Sequence, residues 1–307
     1  MIIWLDQTTL KKIYVDHLKE ALYDHKIVTD LKDASDAEIA IMMPGFAKPE
    51  ILDQMPKLKL IKLLTAGYDG VDLKMILSRN IKIAYAKDVF SIQIAEDVIA
   101  KILFFNRKLN IYDKQMKSHH WSFVSIEHEI HGSTIGIIGA GSIGDEVAKR
   151  IKAFETYIIG YRRTKLHGTH YDEMVYDTSG LQSLIQRSDY IILTIPLTKD
   201  TFHLINSKTI ALMKPNAVII NVARGSIIDQ DALIDALNNL KIRGAALDVT
   251  TPEPLPESHP LWTAKNIWIT PHQASASPKM HERLMEEVIV TIKKYINLEE
   301  LDNLIAQ

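Results

Sequence analysis

Cysteine is absent from the 307 residues. That excludes disulfides, thiolate nucleophiles and cysteine-based zinc sites, and it fits a reducing compartment. An excess of one charge is also missing: 36 Lys and Arg stand against 38 Asp and Glu, for a formal net charge of −2. The cations are scattered, so no basic face for nucleic acid is expected. No apolar run approaches the roughly 20 residues that a membrane-crossing helix needs. The opening Met1-Ile2-Ile3-Trp4-Leu5-Asp6 lacks a basic segment and meets an acid at its sixth residue, so it reads as a strand and not as a signal peptide. His119, His120, His128 and His131 lie close together, but no second ligand cluster accompanies them, and no metal is expected. What is present is a 47% apolar composition in a chain long enough for two cores. The expectation is a cytoplasmic protein of two domains.

The most informative stretch runs from Thr134 to Gly144, where an apolar strand leads straight into Gly139, Gly141 and Gly144. The first glycine permits a tight strand-to-helix turn, the second lets the backbone approach a pyrophosphate, and the third lets the helix pack on the strand. The helix start, with Ser142 and Ile143, would offer N–H groups and the positive end of its dipole. Methyltransferases use similar glycine triplets. Here Ile143, Val147 and Ile151 form an apolar stripe on the helix and Tyr157 to Gly160 read as a second strand, the order of a dinucleotide-binding unit. About 20 residues on, where NAD-binding chains carry an acid for the ribose hydroxyls, this one has Arg162 and Arg163. A carboxylate repels a 2′-phosphate and a guanidinium forks onto it, so NADP(H) is the preferred cofactor, with NAD(H) possible.

Ahead of the glycine loop, strands are expected near Ile2 to Leu5, Ile39 to Met43, Leu60 to Leu64 and Ile81 to Ala84, followed by a helix from about Ile92 to Leu109. Later strands are expected at Tyr190 to Leu193, Ala217 to Val222, Gly244 to Val249 and Ile267 to Ile269. A second long helix after Pro278 carries Leu284, Val288, Ile292 and Tyr295 on one face. The alternation predicts an α/β protein, with 1–96 and 278–307 as one domain and 97–277 as the dinucleotide-binding domain.

Three further stretches end expected strands, where such sheets bind ligands. They are Asn221-Val222-Ala223-Arg224-Gly225, Asp248-Val249 running to Glu253-Pro254, and Thr270-Pro271-His272. Together with Leu193-Thr194-Ile195-Pro196-Leu197-Thr198 and Met213-Lys214-Pro215-Asn216, this order resembles the D-isomer-specific 2-hydroxyacid dehydrogenases over about residues 60 to 297. The resemblance implies a flavodoxin-like substrate domain, a Rossmann domain with a doubly wound parallel sheet, an active site in the cleft, and a homodimer. It implies Arg224, Glu253 and His272 as catalytic residues and Ile195, Pro196, Val222 and Ala223 beside the cofactor. The basic run from Arg162 to Lys165 is similar to the NADPH-dependent glyoxylate and hydroxypyruvate reductases. The sequence ends just after its second long helix, without the C-terminal regulatory domain of many phosphoglycerate dehydrogenases, which speaks against a serine-pathway role.

Residue chemistry agrees. Reducing a 2-oxo acid takes a hydride, a proton for the developing alkoxide and a cation for the carboxylate. His272 would supply the proton, Glu253 would hold the imidazole and stabilise its charged form, and Arg224 would bridge carboxylate and carbonyl oxygen as a planar donor. Asp248 either lines the cleft near the cofactor or caps a turn. In Leu64-Thr65-Ala66-Gly67-Tyr68-Asp69, Ala66 and Gly67 either offer N–H groups to the substrate carboxylate or form a plain turn. The expected activity is reduction of a small 2-oxo acid to the D-2-hydroxy acid. The rival is a nonenzymatic sensor of nicotinamide nucleotides.

Overall fold

The computed structural model describes residues 1–8, 10–165 and 168–305. The chain divides into two compact units, Met1–Phe90 with Ser277–Gln307, and Ser91–Ala276.

In the first unit, β1 (Ile2–Leu5), β2 (Lys26–Val28), β3 (Ile39–Met42), β4 (Leu60–Leu63) and β5 (Lys82–Ala84) run parallel in the order β2-β1-β3-β4-β5. That order is the flavodoxin-like one. The central strands are apolar without alternation because both faces are covered. Ile3, Leu5, Ile39, Ile41 and Leu60 pack with one layer, which includes Leu284, Met285, Val288 and Ile292 of the helix Met280–Ile296. Trp4, Ala40, Met42, Ile61 and Leu63 pack with Leu52, Met55 and Ile76 on the other. The partner surface that the last helix needed is therefore this sheet. One charge sits inside it: Lys62 is fully buried in β4, its Nζ donating to the Tyr85 carbonyl at 2.7 Å and to Glu287 of the last helix at 2.8 Å.

In the second unit, β6 (Thr134–Ile138), β7 (Tyr157–Tyr161), β8 (Glu173–Val175), β9 (Tyr190–Leu193), β10 (Val218–Asn221), β11 (Gly244–Leu247) and β12 (Ile267–Ile269) form a parallel sheet ordered β12-β11-β10-β9-β6-β7-β8. The direction of winding reverses between β6 and β9, the crevice where doubly wound sheets bind nucleotides. Helix Ser91–Asn106 packs against helix Ser142–Ile151, with the Ser91 and Ser142 hydroxyls 2.5 Å apart. It stops short of the expected Leu109 because Lys108 takes a left-handed conformation at φ 52° and caps a new helix, Leu109–Lys117. The sequence reading missed β2 and β8, edge strands whose three residues include a charge, Lys26 or Glu173; the equally short edges β5 and β12 were marked by Ile81 to Ala84 and by the unbroken Ile267-Trp268-Ile269. Among the described residues no helix is long and apolar enough to cross a membrane, and no cluster of side chains is arranged to hold a metal.

Candidate active site

The glycine loop lies at the switch point. Gly139 has φ 113°, and a Cβ there would stand 2.7 Å from the backbone of Thr194 and Ile195. A Cβ on Gly144 would stand 2.5 Å from the Gly139 carbonyl oxygen. These two glycines let β6, β9 and the helix close on one another. Gly141 differs: a Cβ on it meets nothing, so its smallness keeps space open at the helix start. A crevice of about 230 Å³ is lined there by Gly139, Ala140 and Gly141 on one side, Ile195 and Pro196 on another, and Arg162 and Arg163 at the end of β7. Open space at a helix N-terminus, beside two guanidiniums, fits a nucleotide diphosphate. Arg163 is exposed and lies 3.8 Å from Asp200. Ser142 shares its hydroxyl with Ser91, and Ile143 is half-buried beside it.

Val222 and Ala223 are buried at the end of β10. The Asn221 side chain organises their turn, accepting from the Ala223 N–H at 3.0 Å and donating to the Arg224 carbonyl at 2.9 Å. Arg224, half-buried, donates from Nη1 to the Ala223 carbonyl at 2.6 Å. Gly225 follows with no room for a side chain, because the Thr250 carbonyl lies against it. That close approach brings the arginine turn to the loop bearing Glu253. Gln230 clamps the same loop through both main-chain groups of Thr251.

Glu253 has one oxygen on the Thr250 N–H at 3.0 Å and the other 2.8 Å from His272 Nδ1. The pairing of Nδ1 leaves Nε2 for proton transfer. His272 itself is left-handed at φ 52°. The buried Asp248 supports it: the carboxylate accepts from the Thr270 hydroxyl at 2.6 Å, the Gln273 N–H at 2.9 Å and the Ala274 N–H at 2.8 Å. Its charge is thus taken up by the turn that carries the histidine. Asp248, Glu253 and His272 line a cavity of about 330 Å³ together with Leu255 and Trp262. Beneath, Asp97 pairs with the buried Lys101; burial pushes the Asp97 carboxyl above its ordinary value and the nearby Asp248 charge adds to the rise. Asn221, Gly225 and Gln230 were missed as supports because each acts through a residue distant in sequence or through a main-chain group.

Ala66 and Gly67 belong to the first unit, in a turn after β4. The Thr65 hydroxyl donates to the Gly67 carbonyl at 2.7 Å, and the Ala86 N–H donates to the Thr65 carbonyl at 2.9 Å.

Two parallel doubly wound sheets, a glycine crevice at the switch point of one, and an Arg–Glu–His set on its strand ends define a nucleotide-dependent dehydrogenase. Residues 99–274 match the model of the D-isomer specific 2-hydroxyacid dehydrogenase NAD-binding domain. Among sequence relatives, a glyoxylate reductase of Thermofilum pendens is 34% identical over 242 residues, covering 77% of this chain and 71% of its own. Among solved structures, an acyclic imino acid reductase in complex with NADPH and D-Arg superposes with a TM-score of 0.85 at 29% identity, covering 100% of both chains. An NADPH-dependent glyoxylate/hydroxypyruvate reductase of Sinorhizobium meliloti, in complex with citrate, gives 0.83 at 26% identity, covering 99% of this chain and 97% of that one. The chain belongs to the D-isomer specific 2-hydroxyacid dehydrogenase family.

Proposed function

We propose that the protein reduces a small 2-oxo acid of the glyoxylate or hydroxypyruvate kind to the D-2-hydroxy acid, with NADPH preferred over NADH. The observation that carries the chemistry is the His272 Nδ1 to Glu253 contact of 2.8 Å on the same strand ends as Arg224. When bound, the reduced nicotinamide supplies the hydride. Arg224 holds the substrate carboxylate and carbonyl oxygen, and Ala66 and Gly67 offer main-chain N–H groups to the carboxylate. His272 Nε2 gives its proton to the carbonyl oxygen as negative charge develops there, while Glu253 stabilises the imidazolium. The NADPH preference rests on Arg162 and Arg163 in the crevice, with no acid at the end of β7. We also infer a cytoplasmic homodimer. Met116, Trp121 and Phe123, which are 69%, 95% and 98% exposed, form an apolar patch that a second copy would cover.

The test is a panel of 2-oxo acids, each with and without ammonia, following NADPH and NADH oxidation by absorbance. Glyoxylate and hydroxypyruvate should lead without ammonia; turnover only with ammonia would make the protein an imino acid reductase. In the same assay Arg162→Ala should weaken NADPH use by about 10- to 150-fold, the worth of a charged hydrogen bond, and leave NADH little changed. Equal losses would remove Arg162 from the 2′-phosphate site.

A further inference from the structure

Tyr171, just before β8, is enclosed by glycines from three segments. A Cβ on Gly160 of β7 would stand 2.6 Å from its ring, one on Gly144 of the helix Ser142–Ile151 would stand 3.2 Å from its hydroxyl, and Gly168 lies against its other edge. The hydroxyl donates to Asp145 Oδ1 at 2.9 Å. Asp145 sits in the first turn of that helix, its N–H on the Gly141 carbonyl at 2.7 Å. On the strand side the tyrosine is anchored by its neighbour. The Asp172 N–H donates to the Ile158 carbonyl at 2.9 Å, its carboxylate accepts the Ile158 N–H at 2.8 Å, and Lys152 holds the same carboxylate at 2.6 Å. The ring thus spans from β7 and β8 to the start of the helix. Those are the two sides of the nucleotide crevice: Gly141 at one, Arg162 two residues beyond Gly160 at the other. Burial first, and then the Asp145 charge, push the phenol far above its ordinary value, so it remains a donor at any working pH.

We propose that Tyr171 is a positioning residue for the adenosine end of the cofactor. It fixes the gap between the helix start and Arg162, and it holds the Asp145 carboxylate on the β7 side, away from incoming phosphates. A negative charge released at that helix start would oppose the diphosphate of either cofactor and, in addition, the extra charge of a 2′-phosphate, so NADPH should lose more than NADH. This rests on the NADPH reading above. The described lining of the crevice carries no acid of its own, and Asp145 is the acid in the first turn of the helix that opens beside it, so it is the charge that has to be restrained.

The experiment is titration calorimetry on the whole protein with NADPH, NADH, 2′,5′-ADP and 5′-AMP, without oxo acid. Tyr171→Phe keeps the ring and removes only the donor. It should raise Kd for NADPH and 2′,5′-ADP by about 3- to 10-fold, and for NADH and 5′-AMP by less than about 2-fold. Asp145→Asn alone should leave all four near wild type, since the amide oxygen still accepts from the phenol. Added to Tyr171→Phe, Asp145→Asn should restore most of the lost 2′-phosphate affinity, which a purely structural role would not do. Equal loss for all four ligands, no loss, or a loss that Asp145→Asn fails to rescue would overturn the proposal. Wild-type protein that binds 2′,5′-ADP no more tightly than 5′-AMP would instead sink the NADPH reading itself.

Discussion

Arg224 and His272 sit on separate turns of the second unit, and each turn is held by its own set of hydrogen bonds. Asn221 ties the arginine turn, and Asp248 gathers three donors from the histidine turn. Because the supports are separate, the two residues should fail differently. His272→Ala removes the proton donor and should cost about 10²- to 10⁴-fold in turnover with NADPH affinity retained. Arg224→Lys replaces a planar fork by a point charge and should raise KM for the oxo acid while KM for NADPH stays near wild type. Steady-state kinetics varying each substrate in turn separate the two. A rise confined to KM for NADPH in the arginine variant would assign it to the cofactor. Arg224, Glu253 and His272 were proposed from the sequence because the expected chemistry calls for their types at strand ends; the structure places Glu253 against His272, a contact no spacing displayed. Gly225 was legible as a letter but not as a role, since its lack of a side chain matters only where the Thr250 carbonyl arrives.

Strands β6 and β9, which frame the nucleotide crevice, are tied together at their other ends by Asp189. Its carboxylate accepts from the Thr134 N–H at 2.8 Å, Lys214 at 2.9 Å and Asn216 at 3.0 Å. Burial pushes this carboxyl up, but the Thr134 N–H, Lys214 and Asn216 outweigh it and hold the group below its ordinary value. A depressed folded value means the stabilisation is present above about pH 4, the ordinary aspartate range, and is lost as pH falls through the folded value. Asp189→Asn should therefore cost about 1–3 kcal/mol at neutral pH, and the gap from wild type should close in acid. Urea unfolding at a series of pH values reads this; a gap that widens in acid would contradict the assignment. At this scale the central strands were legible because buried parallel strands are continuous apolar runs. The edge strands β2 and β8 were not, since a charge among their three residues, Lys26 or Glu173, breaks the apolar run.

Across the whole molecule, the first unit is made from two ends of the chain. Lys62 in β4 reaches Glu287 on the last helix, and Asn303 donates to the same carboxylate at 2.7 Å. Burial lowers the Lys62 amine from its ordinary value, and the Glu287 charge and hydrogen bond act against that fall. In the second unit, Met116, Trp121 and Phe123 are exposed apolar side chains, the patch on which the proposed homodimer rests. If a second copy covers it, Trp121→Ser with Phe123→Ser should shift sedimentation equilibrium from dimer towards monomer. A wild-type protein that sediments as a monomer at micromolar concentration would remove the homodimer from the proposal.

The sequence by itself determined the α/β class, the position of the nucleotide loop, the absence of an acid at the end of β7 and the three residue types on which the proposed chemistry depends. All of these are local: a glycine spacing, an apolar run, a residue at a strand end. Only the tertiary structure decided that Tyr171 fills a slot made by Gly144, Gly160 and Gly168, that Glu253 meets His272 at Nδ1, and that Lys62 lies buried against Glu287. Those contacts join residues far apart along the chain, and their partners are chosen by which strands become neighbours in the sheets, which no window of sequence records.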